Sequence, residues 1–285
     1  MTASFQHRVV GFYDTHPINE DEIRAKLRAR GVSPDAVTEL EMSEFDQDHY
    51  GGVEAVEALA DAAGVRAGQH VLDVCSGMGG PARWLAKRHG CRVTGIDFTP
   101  SRVAGAQRLT QWVRLDHLVD FVQGDATAMP LPAASFDVVI SQEAWCHIPD
   151  KSALIAECAR VLRPGGAIAF TDILCVGALS AADEAKLAAG MHMPRPMTLA
   201  NYRALLVQHG FSIEYASDLS EVWKRILVDR LEMYRSLHDT TVAKFGQARF
   251  EEYDQAYAHF VGLFVQGFLG GYRVVARRAA GASDP

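Results

Sequence analysis

Short apolar runs, bounded by glycines and acids, divide the chain and predict its elements. The runs are Val71-Leu72-Asp73-Val74, Arg92-Val93-Thr94-Gly95-Ile96, residues 119–122, Ser135-Phe136-Asp137-Val138-Val139-Ile140-Ser141 and residues 167–171. Runs this short and this continuously apolar are what strands buried on both faces require. Helices fill the intervals: one over 53–63 leads into the first strand, and one over about 152–162 precedes the turn Arg163-Pro164-Gly165-Gly166 and the fifth strand. Strands alternating with helices predict an α/β domain.

The flanks carry a different pattern. Residues 20–31 have helical character, with acids at the start and Gly31 at the end, and read as part of an N-terminal lid. Residues 44–52 are dense in aromatic and acidic groups, a composition suited to a loop that closes over a ligand. After the fifth strand the pattern predicts a helical segment over 181–190, stopped by Pro194 and Pro196, and a helix over 198–209. A strand over 210–216 follows, then a long amphipathic helix over 219–237 carrying Trp223. A helix over 245–267 has Phe250, Tyr253, Tyr257, Phe260 and Phe264 largely on one side, a stripe that reads as core. Residues 271–277 read as the final strand. The expected organisation is a lid segment over 1–52, a cofactor-binding core over 53–177 and a substrate-cap insertion over 178–200. The rest of the catalytic domain, with a helical insertion, covers 201–278, and 279–285 is expected to be a disordered tail.

The turn after the first strand, Cys75-Ser76-Gly77-Met78-Gly79-Gly80-Pro81, joins a strand to a helix start. Gly77 and Gly79 remove side chains that would hold a ligand off the backbone, and Pro81 suits a first helical turn. Asp97 closes the second strand about twenty residues on, where an acid can receive two ribose hydroxyls. Two features depart from a dinucleotide fingerprint: Ala82 stands at the third glycine position, and Asp73 lies inside the strand. A carboxylate there repels a pyrophosphate and suits an ammonium or sulfonium ion. S-adenosylmethionine carries both cations and no phosphate. Asp125, in Gly124-Asp125-Ala126 after the third strand, can accept from an adenine amino group.

This order of elements, with acids at three successive strand ends, resembles the class I S-adenosylmethionine-dependent methyltransferases, strongly over residues 50–175. The resemblance implies a Rossmann-like, doubly wound α/β fold with a seven-stranded sheet, mostly parallel with an antiparallel last strand, an N-terminal helical lid and a helical insertion after strand five. It implies S-adenosyl-L-methionine on Asp73, Ser76, Gly77, Gly79, Asp97, Phe98, Asp125, Ala126 and Gln142, and no metal. The catalytic candidates are His147, Tyr50 and Trp145. His147 follows strand four in Gln142-Glu143-Ala144-Trp145-Cys146-His147, and two readings stand: a general base, or a group that packs on the cofactor. Trp145 can face a cationic acceptor or shield the sulfonium. Tyr50 can bond the cofactor carboxylate or the acceptor, or act as a plain lid contact.

Composition narrows the partners. The 285 residues are 48% hydrophobic, with a formal net charge of −7, and no basic run is interleaved with aromatics. A small-molecule substrate is therefore expected, and no nucleic acid. The N-terminus lacks the apolar core of a signal peptide and no run is long enough to cross a bilayer, so the expectation is a cytoplasmic enzyme without membrane contact. Five cysteines with no C-x-x-C pairing indicate neither a disulfide framework nor a zinc cluster. Monomer and homo-oligomer are both open.

Within the family, the run 140–151 with 157–164 and Thr171-Asp172 looks most like the sarcosine and dimethylglycine N-methyltransferases, which implies in-line methyl transfer to an amine. The segment 178–198, with Met191, His192, Met193 and Arg195, departs from those enzymes. Arg195 can pair with an acceptor carboxylate or be plain solvated surface. O-, C- or S-methylation of a natural-product or lipid-type small molecule is the alternative, and a non-catalytic S-adenosylmethionine-binding protein the rival from another class.

Overall fold

A computed structural model describes residues 10, 11, 13, 18–33 and 36–280. Its centre is a seven-stranded sheet in the order β3-β2-β1-β4-β5-β7-β6. The strands are β1 (His70–Val74), β2 (Arg92–Asp97), β3 (Val119–Gln123), β4 (Phe136–Gln142), β5 (Leu162–Cys175), β6 (Phe211–Asp218) and β7 (Leu269–Arg278). The first five are mutually parallel, while β7 runs antiparallel to both β5 and β6. The expected fold is therefore present. After β3 at one edge the chain returns to pair β4 with the opposite side of β1, Leu72 opposite Val139. That reversal opens a crevice beyond the carboxyl ends of β1 and β4.

Before and between the strands lie α1 (Glu20–Ala29), α2 (Glu39–Ser43), α3 (Gly52–Ala63), α4 (Gly80–His89), α5 (Pro100–Trp112) and α6 (Lys151–Val161). The later helices are α7 (Ala181–Gly190), α8 (Leu199–Gln208), α9 (Ser220–Ser236), α10 (His238–Phe245) and α11 (Gln247–Val265). Two elements differ from the sequence reading. The turn at 163–166 is a bulge inside a longer strand, since Phe136 pairs with Leu162 but Val138 pairs with Ala167. The helix expected over 245–267 starts at Gln247, because the φ of 86° at Gly246 fits no helix, and a separate, unexpected α10 precedes it. Of the lid expected over 1–52, residues 1–9, 12, 14–17, 34 and 35 lie outside the described residues, as do 281–285 of the expected tail. Among the described residues, no helix is long and apolar enough to cross a membrane.

Period-two alternation sends Leu72 and Val74 to one face of the sheet and Val71 to the other, into two separate cores. Trp145, Phe170 and Tyr202 stack within the first of these, and helices α3 and α4 cover the second through Val56, Leu59 and Leu85. Each such side chain, fully buried, contributes about 1.5–3 kcal/mol. A third core joins α9 and α11 through Trp223, Leu227, Phe260 and Phe264. Trp223 lies flat on β7, where a Cβ at Gly271 would come within 2.2 Å of its ring. In a fourth, Ile23 and Leu27 seat α1 against Met42, Met78 and Leu109.

The loop before α3 is pinned to the sheet domain by charge. Arg83 of α4 donates to Asp46 at 2.7 Å with both side chains shut off from solvent, 0% and 1% exposed. Arg83 also donates to the Thr110 hydroxyl at 3.1 Å. Removing one member of a buried pair leaves the other uncompensated, at a cost of about 3–5 kcal/mol. Arg83→Met is expected to lose about that much in urea unfolding, and Arg83→Met combined with Asp46→Leu to recover at least about half of it. A loss below about 1 kcal/mol in the single variant would show that this pair does not hold the loop.

Candidate functional site

The turn that leaves β1 needs left-handed backbone at Cys75, Gly77 and Gly79, with φ of 63°, 53° and 77°. Asp97 at the tip of β2 holds it: Oδ2 accepts the Gly77 N–H and Oδ1 the Thr99 N–H, each at 2.9 Å. A carboxylate has about four acceptor positions, so two remain for other donors. A Cβ on Gly77 would meet only the Arg102 guanidinium, at 4.0 Å, so the turn is open toward the crevice there.

Gly79 corrects the sequence reading. It does not line the crevice, and a Cβ on it would come within 2.4 Å of Phe121, so close packing against β3 requires the glycine, not ligand approach.

The crevice is a cavity of about 540 Å³. The structure brings Asp73, Ser76, Gly77, Asp97, Phe98, Asp125, Ala126 and Gln142 together on its lining. Asp73 is 4% exposed, and among the described residues neither its Oδ2 nor the Ser76 hydroxyl has a hydrogen-bond partner. Burial, reinforced by Asp97, pushes the Asp73 carboxyl up to about 7. Asp125 accepts the N–H and hydroxyl of Thr127 through Oδ1, at 2.8 and 2.7 Å. Two orphaned acceptors on one wall, Asp73 and the buried Oε1 of Gln142, are a donor-seeking surface. These residues fit a ligand that brings an ammonium group and hydroxyls.

The opposite wall comes from β4 and the loop before α3. Glu143 stands at a φ of 47° and accepts the Tyr50 N–H at 2.6 Å and the Thr171 hydroxyl at 2.5 Å. Burial nevertheless raises its carboxyl to about 7. His49 is buried, which lowers its imidazole to about 4 and keeps it neutral; Gln142 donates to its Nδ1 at 3.1 Å and its Nε2 donates to Gln47 at 2.9 Å. Arg102 closes the corner, donating to Asp48 and to the Ile18 carbonyl.

His147 and Tyr50 also line the cavity. His147 sits in a 3₁₀ turn, Trp145–His147, with Nδ1 at 3.0 Å from the His192 carbonyl. A carbonyl only accepts, so Nδ1 carries the proton and Nε2 is the basic nitrogen. Trp145 does not belong to the site. Fully buried, it stacks on Phe170 with centroids 4.2 Å apart, on the core side of the same turn, and cannot face an acceptor. Arg195 is exposed and away from the cavity.

The reading missed Glu143, His49, Arg102 and Arg230. Arg230 carried a signal: it shares one side of α9 with Trp223 and Leu227, a lone cation on an otherwise apolar stripe. The cavity also has an apolar part, its chamber, lined by Met191, Met193, Met233, Tyr253, Tyr257 and Phe260. The aromatic stripe of α11 is thus core on one flank and chamber wall on the other.

A methyltransferase-domain family matches residues 72–170, the span that supplies most of the strand tips around this cavity. The 27-O-demethylrifamycin SV methyltransferase of Amycolatopsis mediterranei is 33% identical over 198 residues, covering 68% of this chain and 73% of that protein. The chain belongs to the S-adenosylmethionine-dependent methyltransferases. It is an enzyme of that family, with S-adenosylmethionine as cofactor and small molecules as the class it methylates. The glycine/sarcosine/dimethylglycine N-methyltransferase of Actinopolyspora halophila is 29% identical over 58% of this chain, a match that spans only 29% of that protein. A solved structure of a sarcosine dimethylglycine methyltransferase homologue from Galdieria sulphuraria superposes with a TM-score of 0.76 at 18% identity, covering 92% of this chain and 98% of that one, and attests the shared fold. Relatives that differ in acceptor leave the acceptor atom open.

An unpaired buried carboxylate costs stability in this cavity. For Asp73 the ionised form is present above about pH 7 in the folded chain, but already above the ordinary carboxylate value of 3.8 when unfolded. Its penalty therefore grows from about pH 4 to pH 7 and is constant above. In cofactor-free thermal melts, Asp73→Asn is expected to melt above the parent at pH 8 and to converge with it at pH 4. A lower melting temperature at pH 8 would mean that Asp73 is satisfied in the free enzyme.

Proposed function

We propose that this enzyme transfers the methyl group to a nitrogen or oxygen of a small organic acceptor whose apolar body lies in the chamber, with His147 as the base. The observation that carries the reading is the chamber itself, with Met191, Met193, Met233 and Phe260 beside a histidine whose basic nitrogen is fixed by its neighbour. Methyl transfer from a sulfonium is an in-line displacement, so holding and drying the reactants does most of the work. When bound, S-adenosylmethionine supplies the electrophilic methyl carbon. In this reading Asp73 holds the ammonium, Asp97 accepts from the ribose hydroxyls with the lone pairs left over from Gly77 and Thr99, and Asp125 accepts from the adenine. Ser76, Gly77, Phe98, Ala126 and Gln142 complete that wall.

An amine acceptor of the sarcosine and dimethylglycine kind remains part of the proposal, supported by the likeness to the glycine/sarcosine/dimethylglycine enzyme. Such an acceptor must arrive as free base or lose its proton to Nε2 of His147. The second form, O-methylation of a larger molecule, is favoured by the apolar lining and by the likeness to the rifamycin enzyme. There His147 takes the hydroxyl proton as the new bond forms.

Incubation with methyl-labelled S-adenosylmethionine and a panel of amines, phenols and alcohols tests the proposal. Label is expected on at least one member, and His147→Ala is expected to lower its turnover about a hundredfold or more while cofactor affinity shifts by less than about threefold. Absence of transfer to any member would favour a pure binder, and equal falls in turnover and affinity would return His147 to a packing role. Asp97→Ala is expected in calorimetry to bind S-adenosylmethionine about tenfold to a thousandfold more weakly, since charge-assisted hydrogen bonds worth about 1.5–3 kcal/mol are lost. Unchanged affinity in a folded variant removes ribose recognition from its role.

A further inference from the structure

The chamber contains a cation with no ion-pair partner among the described residues, although Glu143 is close enough to feel its charge. Arg230 makes one hydrogen bond, from Nη2 to the His49 carbonyl at 2.9 Å, and its guanidinium lies 4.8 Å from the centroid of the Tyr50 ring. No carboxylate lies within ion-pair distance of it among the described residues. A guanidinium carries five N–H donors. Arg230 lines the cavity, and its guanidinium has N–H donors beyond the one given to the His49 carbonyl.

Three phenols converge on the same space. Tyr50, Tyr253 and Tyr257 line the cavity with Arg230, and among the described residues none of their hydroxyls has a hydrogen-bond partner. Burial raises all three above the ordinary tyrosine value, Tyr257 to about 12, so each stays an O–H donor at neutral pH. The acids nearby are already engaged. Glu143 holds the Tyr50 N–H and the Thr171 hydroxyl, and Asp48 pairs with Arg102. His49 is neutral and faces Gln47 and Gln142.

We propose that Arg230 and the hydroxyls of Tyr50, Tyr253 and Tyr257 receive an oxyanion on the methyl acceptor, a carboxylate or a phosphate monoester, so that the acceptors are amphipathic acids rather than neutral molecules. The proposal rests on the methyltransferase reading of the cavity and deepens it. A planar guanidinium fork matches the two oxygens of a carboxylate or phosphate, and the low-dielectric chamber strengthens the contact. A neutral analogue of the same shape leaves the cation unpaired, which is how a polar site in an apolar pocket discriminates.

The test titrates the S-adenosylhomocysteine complex of the full chain with benzoate, phenylacetate, 3-phenylpropionate and phenyl phosphate, and with the primary amides of the three carboxylates. At least one anion is expected to bind about tenfold or more tightly than its neutral counterpart. In Arg230→Gln that anion is expected to fall to the level of the amide, and in Arg230→Lys to regain part of the preference, while affinity for S-adenosylhomocysteine stays within about threefold. Preference for phenyl phosphate over the carboxylates identifies the phosphate monoester as the source. Equal binding of acids and amides by the parent, binding of neither, or a preference that survives Arg230→Gln would each overturn the proposal. Failure of the parent to bind S-adenosylhomocysteine would instead remove the reading on which it rests, and the proposal with it.

Discussion

A chain that runs outward through β2 and β3 and then returns to the far side of β1 leaves a gap where the tips of β1 and β4 part, and the remaining structure is organised around closing it. Strand tips end in polar backbone, so the gap attracts water unless other groups satisfy it. Here side chains do. Asp97 takes two backbone N–H groups of the tips, and Glu143 takes one from Tyr50, 93 residues earlier in the chain. Arg83 and Arg102 then hold the same loop by its acids, Asp46 and Asp48. The loop over 44–52 is thus part of the cavity wall, anchored from α4, α5 and β4 at once.

These anchors explain which parts of the site could be read from the chain. Asp73, Gly77, Asp97 and Asp125 were legible because each sits at a fixed offset from an apolar run, and in a parallel sheet the offset alone decides that a residue reaches a strand tip. The order of strands followed for the same reason. Gly79 and Trp145 were misread because sequence spacing says how near a residue is to the turn and not which way it faces. Gly79 answers to Phe121 across the sheet and Trp145 to Phe170, contacts that arise only on folding.

Glu143 and Arg230 went unread for a different reason. An acid after strand four sits in a local pattern, but its left-handed backbone and its bond to Tyr50 depend on a segment nearly a hundred residues away. Arg230 depends on the rotation of α9 about its axis, set by Trp223 lying on Gly271. A helix-period pattern shows that a stripe is buried without showing what it is buried against. The stripe on α11 is the same case: Phe264 belongs to the third core without lining the cavity, whereas Tyr253, Tyr257 and Phe260 pack in or against that core and also line the cavity.

Charges of both signs line the cavity, and their placement follows from what each element can offer. The strand tips supply carboxylates, Asp73, Asp97 and Asp125; α5 supplies Arg102, paired with Asp48, and α9 supplies Arg230. Charges of opposite sign inside a space walled by methionines and aromatics would attract each other strongly if they met. Glu143 has its carboxylate tied to the Tyr50 N–H and the Thr171 hydroxyl, and burial raises its pKa to about 7 although Arg230 acts in the other direction. Among the described residues neither Asp73 nor Arg230 has an ion-pair partner. A ligand pair that brought a cation to the one and an anion to the other would satisfy both.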